Sequence, residues 1–153
     1  MIRDELKAAQ TAAMKARDQP RTQAIRLIMA AVKNRDIEAR TGQAPADDDA
    51  LVVEVLNRMA KQRRESIEMF RKGGAEDRAD AEAAELAIVE EFLPRRLDEA
   101  ETRAAIDAIA VELGAAGPKD MGRVIAELKA RHGTALDMGK ASGLVKARLT
   151  GGA

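Results

Sequence analysis

Two phenylalanines, Phe70 and Phe92, are the only aromatic side chains in 153 residues. The core therefore has to be assembled from Leu, Ile, Val, Met and Ala, the side chains that pack between helices. Hydrophobic residues make up 46% of the chain. That is enough for a core, although alanine supplies much of it and buries little area per residue. Alternating β-branched runs are few and hairpin signals are lacking, so a sheet has nothing to be built from. The chain is predicted to be all-α, with a four-helix N-terminal part over residues 1–94 and a small three-helix C-terminal domain over residues 95–153.

Apolar spacing locates the helices. Ile2, Leu6, Ala9, Ala13 and Met14 fall on one side of a first helix from about Ile2 to Arg17, which Asp18, Gln19 and Pro20 interrupt. A second, from about Arg21 to Arg40, carries Ile25, Ile28, Met29 and Val32 and ends at Gly42. Asp47, Asp48 and Asp49 supply an N-cap and a negative first turn to the third and longest, from about Asp49 to Lys72. Its stripe reads Val52, Val55, Leu56, Met59, Ile67 and Phe70, and Gly73 with Gly74 stops it. A fourth helix, from about Asp77 to Phe92, is anchored by Leu86, Val89 and Leu93, and Pro94 marks its exit.

Beyond Pro94 the helices shorten and glycine becomes more frequent. Asp98 with Glu101 has the spacing of a capping box for a helix to Leu113, with Ile106, Ile109, Ala110 and Leu113 inward and Gly114 at its end. Gly117, Pro118, Lys119 and Asp120 open a helix containing Val124, Ile125 and Leu128, ended by Gly133. Asp137 opens the last, through Leu144, Val145 and Leu149. Asp120-Met121-Gly122 and Asp137-Met138-Gly139 form a small repeat, each opening a helix: Asp caps the free amides, Met packs, and Gly allows a neighbouring backbone to approach. Two independent helix starts are the simpler reading; a short duplication or a pair of functional loops is the other.

The composition excludes several classes of function. Without cysteine there is no disulfide, thiolate catalysis or cysteine-bound metal. The charged start, Met1-Ile2-Arg3-Asp4-Glu5, lacks the apolar run of a signal peptide, and no run reaches the roughly 20 residues of a membrane span. These features point to the cytoplasm. The 26 basic and 26 acidic residues cancel overall but are unevenly spread. Residues 1–74 hold 15 basic and 11 acidic side chains, residues 75–114 hold 4 and 12, and residues 115–153 hold 7 and 3. A mildly basic tail and head flank an acidic middle, although charged helix faces are usually just solvated.

Catalytic chemistry has little to start from. His132 is the sole histidine, in a position to complement a helix C-terminus, and no second histidine exists to complete a metal site. A hydrolase arrangement would need His132 to meet Ser66 or Ser142, the only serines, without a nucleophile elbow. No P-loop or dinucleotide fingerprint is present, so no cofactor is expected. Two places carry charge in an unusual setting. Arg63 occupies the apolar stripe of the third helix, four residues after Met59 and four before Ile67. It needs a carboxylate, for which Glu82 and Glu85 are the candidates, or a bound anion; the internal ion pair is the favoured reading. The loop from Gly114 to Asp120 leads into a helix N-terminus, with Lys119 and Arg123 nearby, and could receive phosphate. Asp120 argues against that, because as N-cap it would take the amides itself, and a plain interhelix loop is the favoured reading.

Three segments together resemble the GatB/YqeY family: Lys61-Gln62-Arg63-Arg64-Glu65-Ser66-Ile67, then Glu90-Glu91-Phe92-Leu93-Pro94, then Lys119-Asp120-Met121-Gly122-Arg123-Val124-Ile125. The closing stretch from Asp137 to Leu149, with Val145-Lys146-Ala147-Arg148-Leu149, fits as well, and the match spans the chain in order. The resemblance implies a helical N-terminal part with a small helical tail. It also implies kinship with the tail of the B subunit of glutamine-dependent tRNA amidotransferases, which helps hold tRNA while another domain performs phosphoryl and amide transfer. The ATP site, glutaminase and ammonia channel of those enzymes have no counterpart here. A label of carbon–nitrogen ligase with glutamine as amide donor would follow from kinship and not from these residues.

The function expected is a non-catalytic helical module that binds folded tRNA. With no Trp or Tyr there is no platform for stacking bases, so recognition would be by shape and phosphate contacts. Lys119, Arg123, Lys129, Arg131, Lys140, Lys146 and Arg148 in the tail are the candidates, with Lys61 and Arg64. The alternative is a protein–protein adaptor for an amidotransferase or an aminoacyl-tRNA synthetase. It would need an exposed apolar strip, for which the alanine-rich helix from Asp77 to Phe92 is the candidate.

Overall fold

The computed structural model describes residues 1–45 and 47–151. Gly152 and Ala153, the end of the predicted C-terminal part, lie outside the described residues. The described residues form an all-α fold of seven helices without strands: α1 Ile2–Lys15, α2 Gln19–Ala39, α3 Asp48–Lys72, α4 Glu76–Glu91, α5 Glu99–Leu113, α6 Met121–His132 and α7 Met138–Leu149. Short 3-10 turns, Pro118–Asp120 and Gly133–Ala135, precede and follow α6. None of these helices is long and apolar enough to cross a membrane.

Internal packing divides the chain into two compact units, Met1–Leu93 and Pro94–Ala153. In the first, Leu6, Ile25, Ile28, Val52 and Leu56 are completely or almost completely buried, with Val89 and Phe92 from the end of α4 closing the same core. Burying a side chain of this size contributes about 1.5–3 kcal/mol relative to leaving it exposed. In the second unit, Ile106 and Ile109 of α5, Val124 and Leu128 of α6 and Val145 of α7 form a separate core. Leu97 joins its edge by donating its N–H to Ala135 O at 2.8 Å.

The helix ends differ from the periodicity in instructive ways. α1 stops at Lys15 and not Arg17, because Arg17 takes a left-handed conformation with φ +55°. The turn is closed by Asp18 N–H donating to Ala13 O and Arg17 N–H to Met14 O. Ala13 takes the inward position, and Met14 is 53% exposed instead of lying on the core face. α2 begins two residues earlier than Arg21: Pro20 lies inside its first turn, where a missing N–H costs nothing, and Asp18 caps it by accepting from Arg21 N–H.

The run of three aspartates does three separate jobs. Asp47 caps α3 by accepting from Ala50 N–H at 2.7 Å, and Asp49 accepts from Ile2 N–H at 2.9 Å. Asp48 receives the Arg3 guanidinium, which also reaches Asp36 on α2. One arginine thereby ties α1, α2 and α3 together. Its charge holds the Asp48 carboxyl below the ordinary carboxylate range, mainly through the hydrogen bond.

Candidate nucleic-acid interface

The second unit presents its cations from two helices and the loop before them. α5 ends at Gly114, whose φ of +61° no β-carbon-bearing residue adopts without cost. The loop that follows is organised by Asp120, which is buried. Its carboxylate accepts from Ala116 N–H at 2.9 Å and Gly117 N–H at 3.4 Å, and Arg123 donates to it at 2.8 Å. These contacts, the Ala116 amide first and Arg123 second, hold the Asp120 carboxyl below its usual range.

This arrangement corrects the expectation for the repeat. Asp137 does cap α7, accepting from Gly139 N–H and Lys140 N–H. Asp120 makes no side-chain cap on α6 and reaches back to the loop instead. The loop amides of Ala116 and Gly117 are therefore occupied by an internal carboxylate, which removes them as phosphate ligands. Nor do the repeat's glycines admit a close neighbour. A β-carbon on Gly122 would meet nothing within 4 Å, and one on Gly139 only the nearby Asp137 carboxylate. Met121 and Met138 do pack, each partly buried against the second core.

The arginines and lysines of the tail behave differently. Arg131 bridges Glu112 on α5 at 2.6 Å and Glu127 on its own helix at 2.7 Å. Arg148 reaches Asp107, also on α5, at 2.6 Å. Arg131 and Arg148 stand at equivalent places in an extended repeat, eleven residues after Asp120 and Asp137 respectively, each closing a Lys-Ala-Arg triplet. Both lean on α5, and Arg123 is engaged by Asp120. Lys119, Lys129, Lys140 and Lys146 are exposed and make no side-chain hydrogen bond or ion pair among the described residues. At 100° per residue, Lys129 and Arg131 lie on opposite flanks of α6, and Lys146 and Arg148 on opposite flanks of α7. One flank of each helix is thus used for internal pairing and the other keeps a free ammonium.

In the first unit, Lys61 is exposed without an ion pair among the described residues, whereas Arg64 meets Glu90 on α4 at 3.2 Å. Arg63, half-buried, lies between two carboxylates of α4, 2.9 Å from Glu82 and 2.8 Å from Glu85. His132 sits half-buried in the last turn of α6, and Ser142 Oγ donates to Met138 O at 2.8 Å, turned back on its own helix. The exposed large apolar side chains, among them Met14, Leu27, Ile37, Met69 and Val111, are all outside α4. On α4 the exposed non-polar positions are Ala81, Ala84 and Ala87, while Leu86, Ile88 and Val89 turn toward the core.

A family model described as Yqey-like protein matches residues 3–149. Among curated proteins, the chain is similar to the mitochondrial protein named Altered inheritance of mitochondria protein 41 from two fungi. It is 33% identical to that of Eremothecium gossypii over 81 residues, 53% of this chain and 43% of the relative. It is 30% identical to that of Lachancea thermotolerans over 108 residues, 69% of this chain and 56% of the relative. The chain thus spans about half the length of the curated relatives it matches.

Proposed function

Since the chain belongs to the Yqey-like protein family, we propose that it is a non-catalytic module that binds folded tRNA through the phosphate backbone. The observation that carries this reading is the division of labour in the tail. The arginines of α6 and α7 are engaged by carboxylates, whereas Lys119, Lys129, Lys140 and Lys146 remain exposed and unpaired among the described residues. An ammonium on a flexible stem is a mobile point charge that suits phosphates in no fixed geometry. With two phenylalanines in the whole chain, base stacking contributes nothing, and recognition rests on shape and charge.

In this reading the arginines brace α6 and α7 against α5 and the lysines meet the RNA. Lys61 adds to the basic surface of the first unit. The label of carbon–nitrogen ligase with glutamine as amide donor then describes the enzymes to which the family is kin, and this chain acts as an accessory in the cytoplasm. Binding to folded tRNA and to duplex DNA of equal length, measured by fluorescence anisotropy at low and moderate salt, tests the reading. Tighter binding to tRNA, weakened by salt and by Lys129→Glu with Lys146→Glu, is expected. No binding at low salt would sink it.

A further inference from the structure

The antiparallel pair α1 and α2 leaves an open groove that the tail-centred reading does not use. One section, of about 360 Å³, is lined by Leu6, Met29, Ala30 and Val32 with Lys7 and Lys33 beside them. A second, of about 390 Å³, is lined by Met14, Thr22 and Gln23 with Arg17 and Arg26. Arg3, Leu6, Lys7 and Met14 fall on one side of α1 by helical rotation, so the two sections open on the same side of the pair. The groove follows α1 from Arg3 to Met14, a run of about 16 Å or three helical turns, with Arg17 in the turn beyond the helix.

The rim is basic and unsatisfied. The side chains of Lys7, Arg17, Arg26 and Lys33 make no hydrogen bond or ion pair among the described residues, although Lys7 contributes to the field at Asp48. The acidic side chain that lines the groove, Asp36, is already engaged by Arg3. Neither Asp4 nor Glu5 lines either section; Glu5 lies on the far side of α1 by helical rotation, and Asp4 is about 60° from Lys7. Most guanidinium groups elsewhere are paired with carboxylates, as the arginines of α3 and the tail illustrate, while Arg40 is open among the described residues and Arg78 lies over the Phe70 ring. Two open guanidinium groups along one groove are a departure from that habit.

We propose that the groove between α1 and α2 is a docking site for an acidic amphipathic helix of a partner protein. The section lined by Leu6, Met29, Ala30 and Val32, with Met14 beyond it, supplies apolar contact for one face of such a helix, and the rim supplies cations for the carboxylates flanking it. Met14 and Met29 are suited to reshape around an incoming side chain. A phosphate backbone would leave the apolar floor unused, and the groove has no aromatic ring on which a base could stack. The chain's own acidic helix α4 offers only alanines on its exposed non-polar face, too small to fill the floor from a second copy.

The probe is a fluorescein-labelled synthetic helix of about 18 residues, or five turns, with leucines at the i, i+3, i+4, i+7 spacing and glutamates on both flanks. Its binding to the full chain is followed by anisotropy, with a scrambled peptide of the same composition and with folded tRNA as competitor. Saturable binding that prefers the ordered peptide is expected. It should weaken about tenfold or more in Arg17→Glu with Arg26→Glu. Ala30→Glu, which places a charge on the floor, should also weaken it, and circular dichroism should show all variants folded. Lys129→Glu with Lys146→Glu should leave it unchanged, so failure here is distinct from failure of the tail to bind tRNA. Equal binding of the scrambled peptide, no effect of the groove variants, or no binding at all overturns the proposal. So does displacement by tRNA whose own affinity falls in the Arg17 and Arg26 variant, since the groove would then be a nucleic-acid surface.

Discussion

Arg3 Nη2 lies 2.6 Å from Asp48 Oδ1, joining the first turn of α1 to the first turn of α3 across 45 residues of sequence. Because Asp48 is held below its ordinary value of 3.8 when folded, its contribution is fully present above that value. It is lost as pH falls through the depressed folded value. Glu101, Glu112 and Asp120 are shifted in the same direction by their partners Arg95, Arg131, and Ala116 with Arg123. Stability is therefore expected to be flat near neutrality and to decline as pH drops below about 4. Asp48→Asn should cost about 1 kcal/mol at neutral pH and make the acid-side decline shallower. Urea unfolding followed by circular dichroism between neutral and acid pH measures both.

Arg63 shares its charge between Glu82 and Glu85. Either carboxylate can hold it when the other is neutralised. Glu82→Gln and Glu85→Gln should each cost roughly 0.5 kcal/mol or less, and the double substitution about 1–2 kcal/mol, more than the sum. Additive small effects in a double-mutant cycle would contradict a shared site.

The two kinds of tail cation should separate in a binding assay. Arg148→Gln removes the contact with Asp107, an exposed pair whose loss should change the thermal midpoint little. Lys146→Glu, two residues earlier and on the opposite flank, should leave the midpoint unchanged yet lower tRNA affinity several-fold. Thermal unfolding alongside anisotropy distinguishes the roles.

The fold was largely legible because alternating strand patterns were lacking and apolar residues recurred at helical spacing. The capping box of Asp98 and Glu101 is present in both directions, at 2.7 and 2.9 Å, and could be read from spacing alone. What spacing does not encode is where the chain turns and who meets whom. Arg17 enters the left-handed region because the α1–α2 turn closes around Asp18 and Ala13, a local competition that periodicity does not report. Asp120 has the sequence context of Asp137, yet Pro118 begins a 3-10 turn before it and its carboxylate meets the preceding loop.

The candidate site was legible as a set of cations but not as a set of partnerships. Arg131 and Lys129 look equivalent in sequence, and only the position of α5 makes one of them a brace. The α1–α2 groove is not legible in the buried stripes of the two helices, because its residues lie on the line beside them. Arg3, Lys7 and Met14 on α1 and Arg17 just beyond it, with Arg26 and Lys33 seven apart on α2, carry the signal.

The central claim, that the tail's free lysines carry phosphate contacts with tRNA, is tested most directly by the salt dependence of tRNA affinity. Plotted as log affinity against log salt, four phosphate contacts predict a slope of about −3 to −4. Charge reversal of Lys119, Lys129, Lys140 and Lys146 should flatten it toward zero while the thermal midpoint holds. A slope that survives the reversal, or an affinity indifferent to salt in the unaltered protein, would contradict the account.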